Sequence, residues 1–313
     1  MLTGQRILLT GLTGQVGGSL VGRLAARNQV YGLARYTAAG SRETVEALGV
    51  TPVVCDYTSG DFTGVPDDVD YVIHVAADTD PATLDEGIRQ NAEGTGLLLH
   101  HCSKAKGWFY TSTTGVYWDH PDPYYAYKET DRCGGSTRVT ARFHYGTSKL
   151  TGEAVARAMS RVHQVPLVIA RLNWSYGQAG DGGLPGMLAE AMLAGHPIGV
   201  HDWPFLGSPI HEDDLAASIG PFLAAATIGG TIVNWAGDDA ITNVELANHI
   251  GELIGVTPTF VKATEARAYP RVTDNTRRLQ IYGPCKVAWR DGIRRMLAER
   301  HPEIQLREAS PRG

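Results

Sequence analysis

Several features that would narrow the reading of this chain at once are missing from it. Its 313 residues include only four cysteines, Cys55, Cys102, Cys133 and Cys285. They lie far apart with no CxxC pair, which argues against a disulfide framework or zinc ribbon and for a reduced, cytoplasmic protein. No apolar stretch approaches the roughly 20 residues that a membrane span needs. The opening MLTGQRILLT has no long apolar signal core. Positive charge is not in surplus: 28 Lys and Arg stand against 33 Asp and Glu, a net charge of −5, so nucleic acid is not an expected partner. His211-Glu212-Asp213-Asp214 is a dense run of possible metal ligands, but no further His or Cys stands at ligand spacing. No metal is expected, and the acids read as the start of a helix.

What is present is an ordinary globular balance, 43% hydrophobic and 19% charged, arranged as alternating strand and helix patterns. Strands are expected at Arg6–Thr10, Val30–Ala34, Pro52–Cys55, Val69–Ala76, Gly107–Thr113 and Pro166–Leu172. Helices are expected at Gly14–Arg27, Ser41–Leu48, Thr83–Ser103 and Phe143–Val162. This alternation predicts an α/β fold, a Rossmann-type doubly wound parallel sheet over residues 1–172. After Leu172, glycine, proline and tryptophan become frequent. Residues 173–313 read as a smaller, loop-rich substrate-binding cap. Its helix-like segments are Leu184–Leu193, Asp213–Ala226, Thr242–Ile254 and Val287–Glu299, and segments near 208–234 are candidates to return to the first domain.

Residues 10–17 read TGLTGQVG directly after an apolar strand and at the opening of a helix, the context a dinucleotide-binding glycine turn requires. Gly11 permits the tight turn, Gly14 lets the backbone approach a pyrophosphate, and Gly17 lets the helix pack on the strand. The helix N-terminus then offers free N–H groups to the anion. An NAD-binding unit usually ends its second strand in an acid that holds the ribose. Here that strand ends Leu33-Ala34-Arg35. Either Arg35 pairs with a 2′-phosphate, which favours NADP(H) over NAD(H), or it is a solvated strand-end arginine.

Residues 145–149 read YGTSK inside a helical pattern. Tyr145 and Lys149 are four apart and share a face. An ammonium beside a phenol lowers its pKa from about 10 toward a value useful for acid/base work. The fifth strand ends Thr111-Ser112-Thr113-Thr114, several hydroxyls at the strand end where open α/β sheets bind ligands. Composition alone does not choose among them.

Taken together the chain resembles the extended short-chain dehydrogenase/reductases, the NAD(P)-dependent epimerase/dehydratase-like enzymes. The likeness runs over essentially the whole chain. It is carried by TGLTGQVG at 10–17, CDY at 55–57, VIHVAA at 72–77, NAEGT at 91–95, TSTTGVY at 111–117, YGTSK at 145–149, ARLNWSYG at 170–177 and IHEDDLA at 210–216. The resemblance implies Tyr145 as acid/base, Lys149 as its tuner and ribose ligand, and Thr113 as the active-site hydroxyl. It implies a cofactor site of Gly11, Thr13, Gly14, Gln15, Val16, Gly17, Arg35, Asp56, Tyr57, Val75, Ala76, Ala77, Asn91, Thr111, Leu172, Tyr145 and Lys149. It also implies a homodimer formed through the helices at 83–103 and 143–162, by analogy.

Two departures from the sugar-nucleotide members bear on substrate. Trp174 stands three residues after Arg171 where those members carry asparagine, and Gly207 stands where they commonly carry an arginine for the diphosphate. Trp174, Tyr176, Trp203 and Phe205 instead read as an aromatic pocket wall or as cap core, the former suiting a small carbonyl compound. The expected activity is NADP(H)-dependent interconversion of a ketone or aldehyde with an alcohol. The alternatives are an epimerase or dehydratase of a sugar or sugar nucleotide, and a non-catalytic NADP sensor.

Overall fold

Short, nearly uninterrupted apolar runs pair into a sheet that is covered on both faces. The computed structural model describes residues 2–134, 143–263 and 270–308 and joins seven such runs in one sheet. They are β1 (Arg6–Thr10), β2 (Gln29–Ala34), β3 (Thr51–Val54), β4 (Tyr71–His74), β5 (Gly107–Thr113), β6 (Leu167–Leu172) and β7 (Thr231–Trp235). Their order is β7-β6-β5-β4-β1-β2-β3, and every pairing is parallel. The order reverses beside β1, where open α/β sheets form a crevice beyond their strand ends.

The period of two sends side chains to opposite faces. Ile7, Leu9, Phe109 and Trp235 join a core beneath α1 (Gln15–Ala25) and α7 (Glu212–Ala224). Leu8, Val72, Trp108, Tyr110 and Ile169 join a second core on the other face, beneath α4 (Gly94–His101) and α5 (Phe143–His163). The short helices α2 (Ser41–Ala47) and α3 (Leu84–Ile88) complete this half. Gly152 lets α5 lie close: a Cβ there would overlap the Tyr110 hydroxyl and the Asn91 carbonyl.

Two of the expected elements are cut short or interrupted, and β7 is not among the expected strands. The run expected as a strand over 69–76 leaves the sheet after His74. The Ala76 N–H donates at 3.1 Å to the side chain of Thr10 on the neighbouring β1, not to a backbone carbonyl, so the ladder ends at His74 and residues 75–77 follow it outside the strand. The helix expected over 83–103 is interrupted by a π turn at Arg89–Glu93. The wider turn carries Asn91 inward, where its side chain accepts the Asp78 N–H at 2.9 Å and donates to the Asp78 carbonyl at 2.8 Å and to Ser148 Oγ at 3.0 Å. Such π turns often mark functional sites.

Beyond β6 the chain builds a third core between α6 (Gly183–Leu193), α8 (Asn243–Ile254) and α10 (Trp289–Arg300), from Met192, Leu246, Ile250, Ile293 and Leu297 among others. The helix α9 (Thr276–Ile281) precedes α10. Thr242 and Glu245 close a reciprocal capping box at the start of α8. The segment between those helices returns to the sheet: α7 packs on α1 and β7 pairs with β6. Among the described residues no helix is long and apolar enough to cross a membrane.

Candidate active site

The turn after β1 is shaped by contacts that exclude side chains. Gly11 has φ +68°, and a Cβ on it would lie 2.7 Å from the Ala76 backbone. A Cβ on Gly17 would overlap the Gly11 carbonyl, so α1 can start this close to β1 only with glycine there. Gly14 caps α1 without a side-chain hydrogen bond, and the first turn holds no acid. The N–H groups and the positive end of the helix dipole therefore face outward unneutralised.

They face a cleft of about 820 Å³. Most residues expected at a cofactor site line it: Gly11, Thr13, Gly14, Gln15, Val16 and Gly17 on the turn, Arg35 at the end of β2, Asp56 and Tyr57 after β3, Val75–Ala77, Thr111 and Leu172. Arg35 is exposed at the cleft's edge beside Tyr36, Thr37 and Ser41. The Asp56 carboxylate accepts from Thr58 Oγ1 at 2.7 Å and from the Thr58 N–H at 3.0 Å. These bonds hold its pKa below the usual range.

At the other end of the cleft stand Thr113 and Tyr145. Thr113 Oγ1 accepts the Gly115 N–H at 3.1 Å, which fixes the hydroxyl at the strand end. Lys149 lies one helical turn beyond Tyr145 but not in the cleft wall. It is 1% exposed, its Nζ sits 4.1 Å from the centre of the Tyr110 ring, and Nζ has no hydrogen-bond partner. Burial pushes it down to about 7, against the field of Glu153, which pushes it up. Asn91 is likewise turned into the protein, as the clamp described above, and does not line the cleft.

The four aromatic residues expected at a substrate wall do not line the cleft. Tyr176 is fully buried in the cap core with its hydroxyl 3.4 Å from the Trp289 carbonyl, so it has no surface to offer a substrate. Trp174 packs on the same core, 5.0 Å from the Phe205 ring, and its indole lies where any Cβ on Gly207 would stand. Trp203 stacks on His201 at 5.0 Å. In their place the cleft wall includes Asp78, Thr79, Gln90, Ser112, Asn173 and Ser175. Ser112 is one of the strand-end hydroxyls the sequence offers; the others carry no motif, and Asn173 and Ser175 after the sixth strand read as turn formers. Asn173 had a usable signal, an amide directly after β6. Its Oδ1 accepts the Trp174 and Ser208 N–H groups at 2.8 and 3.1 Å, and its Nδ2 donates to the Arg271 carbonyl at 2.6 Å.

The acids at 212–214 are engaged within the protein. Glu212 accepts from Arg23 and from the Gln178 and Ala179 N–H groups, Asp213 pairs with Arg23, and Asp214 accepts from Tyr282 and the Lys286 and Val287 N–H groups. His211 Nδ1 caps α7 by accepting the Asp213 N–H at 3.1 Å.

The sequence profile of the NAD dependent epimerase/dehydratase family matches residues 7–205, well over half of the chain. The chain belongs to that family. Solved structures of similar fold include UDP-glucuronic acid 4-epimerase from Bacillus cereus in complex with UDP-glucuronic acid and NAD. It is 20% identical, with 94% of this chain and 98% of that one covered and a TM-score of 0.80. dTDP-glucose 4,6-dehydratase from Bacillus anthracis in complex with NAD is 20% identical, with 96% and 98% covered and a TM-score of 0.79. UDP-glucose 4-epimerase from Thermotoga maritima with UDP-glucose is 19% identical, with 95% and 99% covered and a TM-score of 0.80. No curated protein matches.

A member of the epimerase/dehydratase family takes a nicotinamide dinucleotide, and this chain's residues fit one. The cradle at Gly11 and Gly17 is closed to side chains. The opening of α1 presents uncapped N–H groups. At the far end the ammonium of Lys149 is buried with no acceptor, a state that ribose hydroxyls would relieve.

Proposed function

We propose that this family member is an NADP(H)-dependent oxidoreductase that interconverts a ketone or aldehyde with an alcohol. One observation carries the reading: Tyr145 stands in the cleft wall with Thr113, and the Lys149 ammonium lies buried and without an acceptor one turn along the same helix. The bound dinucleotide supplies the redox step, a hydride exchanged with the substrate carbon. Tyr145 gives the proton to the carbonyl oxygen or takes it from the alcohol, Thr113 orients that oxygen, and Lys149 tunes Tyr145 and holds the ribose. The turn at 11–17 holds the pyrophosphate.

The preference for NADP(H) rests on Arg35. It is the cation at the β2 end of the cleft, and no acid follows β2 to hold an unphosphorylated ribose. The preference for a compound without a diphosphate rests on charge and space. Among the described lining residues Arg35 is the one Lys or Arg, which leaves no second cation for a substrate diphosphate, and the Trp174 indole fills the volume a side chain at 207 would use. Diphosphates are held largely by charge-assisted contacts.

The second reading is a sugar-nucleotide epimerase that keeps its cofactor and uses it transiently. The solved structures of like fold favour it, since their ligands are sugar nucleotides and NAD. Anaerobically purified protein separates the two. Net NADPH consumption across a carbonyl panel supports the first; tightly held NAD(H) with no net consumption on UDP- or dTDP-sugars supports the second. In both, Tyr145→Phe lowers kcat by about 10²–10⁴ with cofactor Kd nearly unchanged. Turnover near wild type in that variant removes Tyr145 from the chemistry.

A further inference from the structure

Beneath the reacting end of the cleft, charged side chains are sealed from water. Tyr145, Lys149 and Glu153 follow at intervals of four along α5 and form one ridge. Tyr145 reaches the cleft, whereas Lys149 and Glu153 are 1% and 3% exposed. Glu153 Oε1 accepts from Ser112 Oγ at 2.6 Å and from Arg171 Nε at 2.9 Å, and Oε2 accepts from the same guanidinium at 2.8 Å. Arg171 is held from its other side by the Glu129 carbonyl at 3.2 Å and lies 4.8 Å from the centre of the Tyr117 ring.

A buried pair of this kind says little about stability, because desolvation offsets much of the attraction. Its position says more. Ser112 lines the cleft directly before Thr113, so the carboxylate grips the strand end that carries the active-site hydroxyl. Lys149 lies one turn along the same ridge with no hydrogen-bond acceptor. The groups that face it are Glu153 on its own helix, His74 on β4 and Tyr110 on β5, with Tyr145 one turn away on the same helix face. Burial keeps His74 neutral and pushes the Tyr110 phenol well up. Glu153 is therefore the negative charge presented to the ammonium among these groups.

We propose that Glu153 is a positioning residue for the reaction. Its carboxylate sustains the charge on Lys149 and, through Ser112, fixes the strand end that bears Thr113, while Arg171 and Ser112 divide that negative charge with Lys149. The proposal rests on the reading of Tyr145 and Lys149 as the acid/base machinery.

The test reads Lys149 directly. The full chain is labelled with [6-13C]lysine, its Lys149 resonance is assigned by its loss in Lys149→Met, and the resonance is titrated by NMR. Glu153→Gln keeps the volume and an acceptor for Ser112 but removes the charge, so the Lys149 midpoint falls by roughly one unit or more. Ser112→Ala removes a donor from the carboxylate and leaves more of its charge for Lys149, so the midpoint rises by a few tenths. In alcohol oxidation the pH limb of kcat moves opposite to Lys149, upward in Glu153→Gln, because a weaker ammonium leaves Tyr145 more basic. Glu153→Asp restores the limb. Midpoints that stay put, or that move the same way in both variants, overturn the proposal. Ser112→Ala alone decides it if Glu153→Gln does not fold, since an unchanged Lys149 midpoint there is equally fatal. The NMR reading needs no turnover, so failure of Tyr145→Phe to lose activity would sink the proposed chemistry and leave the Lys149 titration to stand separately.

Discussion

The two ends of the cleft are built from different material. The end beside α1 is made of backbone: a turn closed to side chains at Gly11 and Gly17, N–H groups at a helix start, and the strip 75–77 that follows β4 against Gly11. The end beside α5 is made of side chains held by buried charge, with Lys149, Glu153 and Arg171 each at most 3% exposed. A backbone site depends on which positions tolerate no Cβ, and a side-chain site depends on which charges offset one another. The first tolerates no enlargement. The second tolerates shape changes better than changes of charge.

The sharpest way to break that contrast is Gly17→Ala. The added methyl meets the Gly11 carbonyl, which is backbone and cannot swing aside. Relief requires α1 to move off β1, at a cost of about 1–3 kcal/mol. If the moved N–H groups hold the pyrophosphate as proposed, calorimetry should show cofactor affinity down by roughly 10- to 100-fold or more. An unaltered Kd would mean that the turn is a structural feature only.

Arg35→Ala probes the same end through a side chain. If Arg35 pairs with a 2′-phosphate, its loss removes a charge-assisted contact of about 1.5–3 kcal/mol. NADP(H) binding then weakens about 10- to 100-fold while NAD(H) binding hardly moves. Equal losses for both cofactors, or none, would return Arg35 to the role of a solvated strand-end arginine.

How far the sequence could be read follows the same division. β1 and β5 run over the residues their apolar patterns mark, and the glycine spacing marks the turn, because a Cβ exclusion is local and visible in single letters. The reach of β4 was not legible, since it ends where a hydroxyl on another strand, Thr10, captures the Ala76 N–H. Nor was the π turn, which exists to bring Asn91 to Asp78 and Ser148 across 13 and 57 residues of chain. The aromatic residues after 172 stay open in the sequence, as pocket wall or cap core, for a related reason. An aromatic residue in a glycine-rich stretch fills a cap core as readily as a pocket, and only the packing of Tyr176 under α10 and of Trp174 over Gly207 decides between them. Ser112 and Glu153 are 41 residues apart, and nothing in either neighbourhood announces their bond.

The smallest expected effect at neutral pH, read from the acid limb instead, tests the backbone end from beneath. His74 is fully buried between Thr10 Oγ1 at 2.8 Å and Thr95 Oγ1 at 3.0 Å. Thr95 donates its hydroxyl hydrogen to the Asn91 carbonyl at 2.9 Å, so Nε2 must donate to Thr95, which leaves Nδ1 to accept from Thr10 in the neutral ring. Burial, with Lys149 nearby, pushes His74 down to about 3. In the unfolded chain it takes a proton near pH 6.5. Between those values the unfolded state binds the extra proton, so this contribution to stability is complete above about pH 6.5 and is lost as pH falls toward 3. His74→Gln retains a donor and an acceptor but cannot titrate. Its denaturation curve should match the wild type near pH 7.5 and lose less stability in acid, the two diverging by at most about 1.4 kcal/mol per pH unit. Parallel acid limbs would mean that His74 titrates alike in both states. The Thr10 hydroxyl that accepts the Ala76 N–H would then owe nothing to a His74 kept neutral by burial.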